Sequence, residues 1–221
     1  MSSAVETGFL DALGYAESIL LAPPVGARWT EPSALALMDV GSVAGHLFLV
    51  VRRVVKRLEA ADAHTAAVER ASRATKVDRV VYRTIRVTNE TDLDHEAHRV
   101  VRDDGAHVAA WGWEPVCDAF ADRVSRLRAR FAAAPLPAVT DFGGHAMAFD
   151  AYLESRVVEV LVHADDLATS CELDAGSPPA TAVDIALGFL VDIARREHGD
   201  LAVLRSFTRH ERLGPRLPSV Y

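Results

Sequence analysis

Residues Tyr152 to Thr169 read Y-L-E-S-R-V-V-E-V-L-V-H-A-D-D-L-A-T. The pattern predicts a helix. At about 100° per residue, Arg156, Glu159, His163 and Asp166 fall within roughly 80° of one another and form one charged stripe. Val157, Val158, Val160, Leu161, Val162, Ala164, Leu167 and Ala168 occupy most of the remaining circumference. A solvated face would be broad and would mix Lys with Glu. A narrow stripe flanked by apolar residues implies ionisable groups held in a largely buried setting, where they need partners.

Glu159 and His163 stand four residues apart, so both side chains can reach a single cation. The plainer alternative is an i,i+4 hydrogen-bonded pair with Arg156 and Asp166 as flanking salt-bridge partners. A metal site would need a third ligand from another part of the chain.

Composition limits the remaining choices. At 221 residues the chain is long enough for one domain with a sizeable core. Half of it is hydrophobic and a quarter charged, with 24 Lys and Arg against 31 Asp and Glu, a net charge of −7. That balance argues against a nucleic-acid footprint, which requires a segregated basic face. Arg123, Arg126, Arg128 and Arg130 cluster, but on the expected solvent side of a helix. Cys117 and Cys171 have no metal-ligand spacing and imply a reducing compartment. Glu6 and Asp11 near the N-terminus speak against a signal peptide. The longest apolar run, Val40 to Val51, contains His46 and falls short of the roughly 20 residues a bilayer needs. The expected location is the cytoplasm.

Taken in order, Phe9, Leu13, Ala16 and Leu20 predict a first helix from about Ala4 to Leu21, stopped by Pro23-Pro24. Asp39 is the expected N-cap of a second helix reaching about Ala60, its buried face marked by Val43, Leu47, Val50, Val54 and Leu58. His46 lies at the edge of that face with Gly41 and Gly45 nearby. Those glycines allow a close approach to the backbone, a mild sign of function; the alternative is a core histidine bonded to a carbonyl. Residues 76–88 read as a short strand or an extended connection. A helical pattern resumes at Asp94, breaks near Gly112 and restarts at Pro115, with Val116, Phe120, Val124, Leu127 and Phe131 inward. Asp94, His95 and His98 form a rival metal cluster, but their mixed-charge neighbours favour a solvated face. A turn at Asp141-Phe-Gly-Gly144 leads into the helix of the opening stretch, expected from about His145 to Ser170. Ser177-Pro178 reads as N-cap and first residue of a last helix through Val183, Leu187, Leu190 and Ile193 to Gly199. Leu201 to Arg212 reads as a tail. Five or more helices with short connections predict an all-α bundle. It spans residues 1–175, with a C-terminal helix and tail over 176–221 packed on it, a single domain overall.

With His46 in S-V-A-G-H-L on the second helix and R-V-V-E-V-L-V-H-A-D-D-L-A further on, the chain resembles the mycothiol-dependent maleylpyruvate isomerase family, which belongs to the DinB-like four-helix-bundle proteins. The similarity runs from about Phe9 to Arg209 and includes Trp29 and the stretch L-R-S-F-T-R. The resemblance implies that His46, Glu159 and His163 together bind one divalent metal, usually taken as zinc, and that a small thiol, mycothiol, is the cosubstrate. The longer isomerases' second domain is reduced here to the last helix and tail.

Two imidazoles and one carboxylate fill three positions of a tetrahedral zinc and leave one open, the pattern of catalytic sites. A thiol at the open position loses its proton near neutral pH and becomes a nucleophile. In the isomerase case, the resemblance implies addition to a conjugated double bond, rotation and elimination; with other electrophiles the same thiolate serves conjugation or transfer. Arg156 and Asp166 are candidates to orient the ligands, or else simple charge partners. The expected partners are a small electrophile and a low-molecular-weight thiol, with no nucleic acid and no membrane; monomer and homodimer both stay open. The competing class is a non-catalytic, metal-stabilised binding or regulatory module with a closed fourth position.

Overall fold

The opening stretch lies inside a helix running from Phe149 to Ser170 in the computed structural model of the chain. The structure describes residues 3–63, 75–78, 81, 94–142 and 145–209. Within them are eight helices: α1 (Ala4–Leu20), α2 (Pro23–Ala27), α3 (Val40–Asp62), α4 (Glu96–Ala109), α5 (Trp113–Ala133), α6 (Phe149–Ser170), α7 (Ala180–His198) and α8 (Asp200–Thr208). The fold is an all-α helical bundle. α1 and α3 each pack against both α5 and α6, closing a ring of four helices; α4 lies on α3, α7 on α1 and α6, and α8 on α7.

Local chemistry sets the helix starts. Ser3 and Glu6 form a reciprocal capping box at α1: Ser3 Oγ accepts from the Glu6 N–H at 3.2 Å, and Glu6 Oε2 accepts from the Ser3 N–H at 2.7 Å. Asp39 caps α3 as its sequence predicts, its Oδ1 accepting from the Ser42 N–H at 2.7 Å. The ring is filled by Phe9 and Leu13, Leu47 and Phe48, Phe120 and Leu127, and Leu153 and Val157, all buried. Each such side chain contributes about 1.5–3 kcal/mol on burial.

Four expectations need correction. Pro23-Pro24 does stop α1, but the prolines then open the short α2, where their fixed φ suits a first turn. The helix expected from His145 begins at Phe149, because His145–Ala148 is a strand paired antiparallel with Val139–Phe142, and parallel with Thr75–Lys76 on its other side. Asp141 and Phe142 of the expected turn therefore sit in a strand, while Gly143 and Gly144, like residues 82–88, lie outside the described residues. Pro179, not Ser177, caps α7, and the helix turns Ala182, Ala186, Phe189 and Ile193 inward while Leu187 is exposed. Lastly, the supposed tail is helical from Asp200 to Thr208, after a break at Gly199 with φ 83°. The rest of it lies outside the described residues.

The glycines beside His46 serve helix packing. A Cβ on Gly45 would stand 2.3 Å from the Gly105 carbonyl oxygen of α4, and one on Gly105 would stand 2.5 Å from the Ser42 carbonyl oxygen. A Cβ on Gly41 would meet the Trp29 ring at 2.7 Å. The close approach is therefore by α4 and Trp29. Gly45→Ala forces two backbones apart and should cost about 1–3 kcal/mol. Gly188→Ala, whose Cβ meets nothing within 4 Å, should be neutral or stabilising. Thermal denaturation of both variants checks this; an unchanged midpoint in Gly45→Ala contradicts the packing account.

Candidate metal centre

His46 is presented by α3, and Glu159 and His163 by α6, the two helices packing face to face in the ring. One ligand-competent atom from each residue lies within 4.8 Å of the other two. Among the described residues this is the group of three or more His, Cys, Asp or Glu side chains that meets such a test. Donor atoms around a tetrahedral zinc with bonds of about 2.1 Å stand roughly 3.4 Å apart. His163 Nε2 and Glu159 Oε2 are already 3.4 Å apart, so the closure needed is a shift of the order of 1 Å, within the reach of side-chain torsions.

The neighbours prepare the ligands. Asp166 Oδ2 lies 3.0 Å from His163 Nδ1; an ionised carboxylate only accepts, so Nδ1 donates and Nε2 is turned toward Glu159. Arg156, buried and stacked over Tyr152 at 5.3 Å, sets its Nη2 3.5 Å from Glu159 Oε1, leaving Oε2 on the His163 side. The charged stripe lies in the sheltered setting its narrowness predicts: side-chain exposure is 9% at Arg156, 15% at Glu159, 13% at His163 and 18% at Asp166.

His46 tells the two simpler readings apart. The Glu159–His163 pairing exists, yet it leaves out the His46 ring, which meets the His163 ring edge-on with centroids 4.6 Å apart. His46 is 7% exposed and its Nδ1, shielded from solvent, has no hydrogen-bond partner among the described residues. It is not a core histidine satisfied at Nδ1 by a carbonyl, and leaving such an atom unpaired costs about 1–3 kcal/mol. A buried ring with an unpaired nitrogen, set against a second imidazole and a carboxylate, suits a site for a divalent cation.

In the metal-free protein the two histidines titrate in opposite directions. Burial, reinforced by the nearby His163, pushes His46 down to about 3. Burial also works to lower His163, but its bonds to Asp166 and Glu159 outweigh that and raise it to about 9. His163 therefore contributes stability that is complete below about pH 6.5 and lost as pH rises through about 9. His46, neutral when folded, makes stability fall as pH drops from about 6.5 toward 3. With chelator present, thermal stability should peak near pH 6.5, and His163→Gln should abolish the alkaline decline. A wild-type midpoint flat from pH 6.5 to 9 contradicts the His163 assignment.

The rival cluster has another use. His95 Nδ1 accepts from the Ala97 N–H at 3.2 Å and so caps α4, while Asp94 is exposed. His98, however, belongs to a feature the sequence reading missed: a cavity of about 200 Å³ that it shares with His46, His163, Met38, Val101 and Arg102. Gly45 and Gly105 are the sequence signal that could have found it, since they bring α4 onto α3. A larger depression of about 780 Å³ lies elsewhere, between the start of α1 and the end of α5. Its carboxylates are Glu6, engaged in the α1 cap, and Asp150 in the first turn of α6, and it holds no His or Cys. Three of the four arginines of α5 are paired with carboxylates: Arg130 with Asp62 at 2.7 Å, and Arg123 and Arg126 with Asp122. No helix among the described residues is long and apolar enough to cross a membrane.

Comparison with protein-family models, with curated proteins and with solved structures gave no match to this chain.

Proposed function

We propose that the chain is a metal-dependent, thiol-using enzyme similar to the mycothiol-dependent maleylpyruvate isomerases, built on a DinB-like bundle. It activates a small thiol, mycothiol in this reading, for addition to or transfer onto an electrophilic small molecule. The observation that carries the reading is the convergence of His46, Glu159 and His163 on the wall of a cavity, with His46 Nδ1 buried and unpaired. Zinc is the metal that two imidazoles and one carboxylate suit, and when bound it supplies an open Lewis-acid position that favours thiolate over thiol. The residues' own work is positional. Asp166 fixes the His163 ring with Nε2 toward Glu159, Arg156 orients the Glu159 carboxylate, and the apolar residues around them keep the group largely out of solvent. The reading also places the protein in the cytoplasm, where free cysteines stay reduced.

The reactive sulfur arrives with the cosubstrate. Burial pushes the Cys117 thiol up to about 11 and also raises Cys171, so neither is an appreciable thiolate at neutral pH. Cys117→Ser/Cys171→Ser should keep its thiol-dependent turnover within about twofold wherever it remains folded. Mycothiol consumption with a panel of electrophiles is the test. Complete inactivation of the folded double variant rejects the external thiol, and no consumption with any electrophile moves the reading to a metal-stabilised binding module.

A further inference from the structure

The cavity shared by His46 and His163 is small, and its walls are divided by chemistry. Its volume of about 200 Å³ lies below the roughly 300–1,000 Å³ of drug-sized sites, and a little above the roughly 150 Å³ in which an apolar protein cavity holds benzene. Leu35, Met38, Val43 and Val101 supply an apolar lining. Burial gives it a direction: Ala36 is exposed and His98 and Arg102 half-buried, whereas Val43 is fully buried and His46 nearly so. The rim is therefore polar, the body apolar, and the floor carries the ligand histidines.

The rim is formed before any ligand arrives. Ser33 N–H and Oγ–H both donate to the Met38 carbonyl, at 3.0 and 2.9 Å, and the Ala34 N–H donates to Ser170 Oγ at 2.9 Å. Between them Leu37 is held at φ 65°, a conformation a non-glycine residue keeps only when its surroundings fix it. The loop that carries Leu35 and Met38 is thus closed on itself just ahead of α3 and tied to the end of α6.

We infer that this cavity is the electrophile's subsite and that it selects a small molecule of no more than about two rings, with an apolar body against Met38, Val43 and Val101 and a hydrogen-bond acceptor at the Arg102 and His98 rim. The inference rests on the proposed thiol chemistry only for the word electrophile; the binding itself stands on the cavity. It makes Met38 and Val101 specificity-determining residues. On the scale of benzene in roughly 150 Å³, a three-ring molecule needs roughly 350 Å³ and exceeds the volume even with its polar end at the rim, and so does the bulk of a glycosylated thiol, of which only the sulfur-bearing arm can share the space.

The test is binding of para-fluoroacetophenone to the full-length protein, loaded with zinc and metal-free, followed by fluorine NMR. Wild type should bind it in both states and should bind a three-ring acetylfluoroanthracene at least about tenfold more weakly. Val101→Trp fills the cavity and should weaken the single-ring probe by roughly tenfold or more. Ala36→Trp, at an exposed position where folding is not in question, should weaken it in the same direction. Equal affinity for one and three rings, or unchanged binding in a folded Val101→Trp or in Ala36→Trp, overturns the inference. Ring-size selection without any thiol-dependent turnover upholds this inference while rejecting the thiol reading.

Discussion

Purified without chelator, the protein should carry one divalent metal ion per chain, and His46→Ala or His163→Ala should lose it. Apparent binding energies of structural zinc sites, about 10–16 kcal/mol over four ligands, give roughly 3 kcal/mol for each ligand, or about a hundredfold or more in affinity. Glu159→Gln keeps the shape of the side chain but not its charge, and Arg156 then faces a neutral amide. It should weaken binding strongly. Asp166→Asn changes the partner of His163 Nδ1 without touching the cation and should cost about 10- to 100-fold. His95→Ala and His98→Ala should leave metal content unchanged, since His95 caps α4 and His98 lines the cavity outside the ligand set. Elemental analysis with chelator competition reads all six variants. Metal kept by His163→Ala, or lost by His95→Ala, would return the site to the Asp94 cluster.

The thiol-dependent rate should have an acid limb whose position depends on zinc concentration. In the metal-free protein His163 holds a proton up to about pH 9, while His46 is neutral down to about 3. Between those values the cation displaces one proton, from His163. Its apparent affinity therefore falls about tenfold for each unit of pH below about 9. The limb should accordingly move down by about one pH unit for every tenfold rise in free zinc, as long as zinc remains below inhibitory levels. A histidine acting only as general base would give a limb indifferent to added metal. Rates measured between about pH 5 and 8 at two zinc concentrations decide between them, and a fixed limb would argue against metal release as its cause.

The helices were legible where caps and apolar period agreed. Asp39 and the Val43, Leu47, Val50, Val54 and Leu58 face placed α3 to within two residues at its C-terminal end, and Phe120, Val124, Leu127 and Phe131 lie buried in α5 as their spacing predicts. The start of α6 was not legible. His145–Ala148 has no helix-breaking residue, and its strand character comes from pairing with Val139–Phe142, a tertiary choice that local propensity does not encode. α7 misled for a related reason. Leu187 matches a helical apolar period, but α7 packs on α1 and α6 through smaller Ala182 and Ala186, and the leucine is left outside. Glu159 and His163 were readable as a pair because they share a helix face. His46 is over a hundred residues away, and its membership came from a family resemblance; its proximity depends on how α3 meets α6. The cavity depends on a third helix, α4, and on two glycine contacts that no periodicity marks as a site.

The most direct test of the metal centre is anomalous diffraction at the zinc edge from crystals of the full chain grown with zinc. One peak per chain is expected between α3 and α6, bonded to a His46 nitrogen, a Glu159 oxygen and His163 Nε2 at about 2.0–2.2 Å, with a fourth position left to solvent or a thiol. A peak at Asp94, His95 and His98, or density for zinc elsewhere with His46, Glu159 and His163 bare, would contradict it.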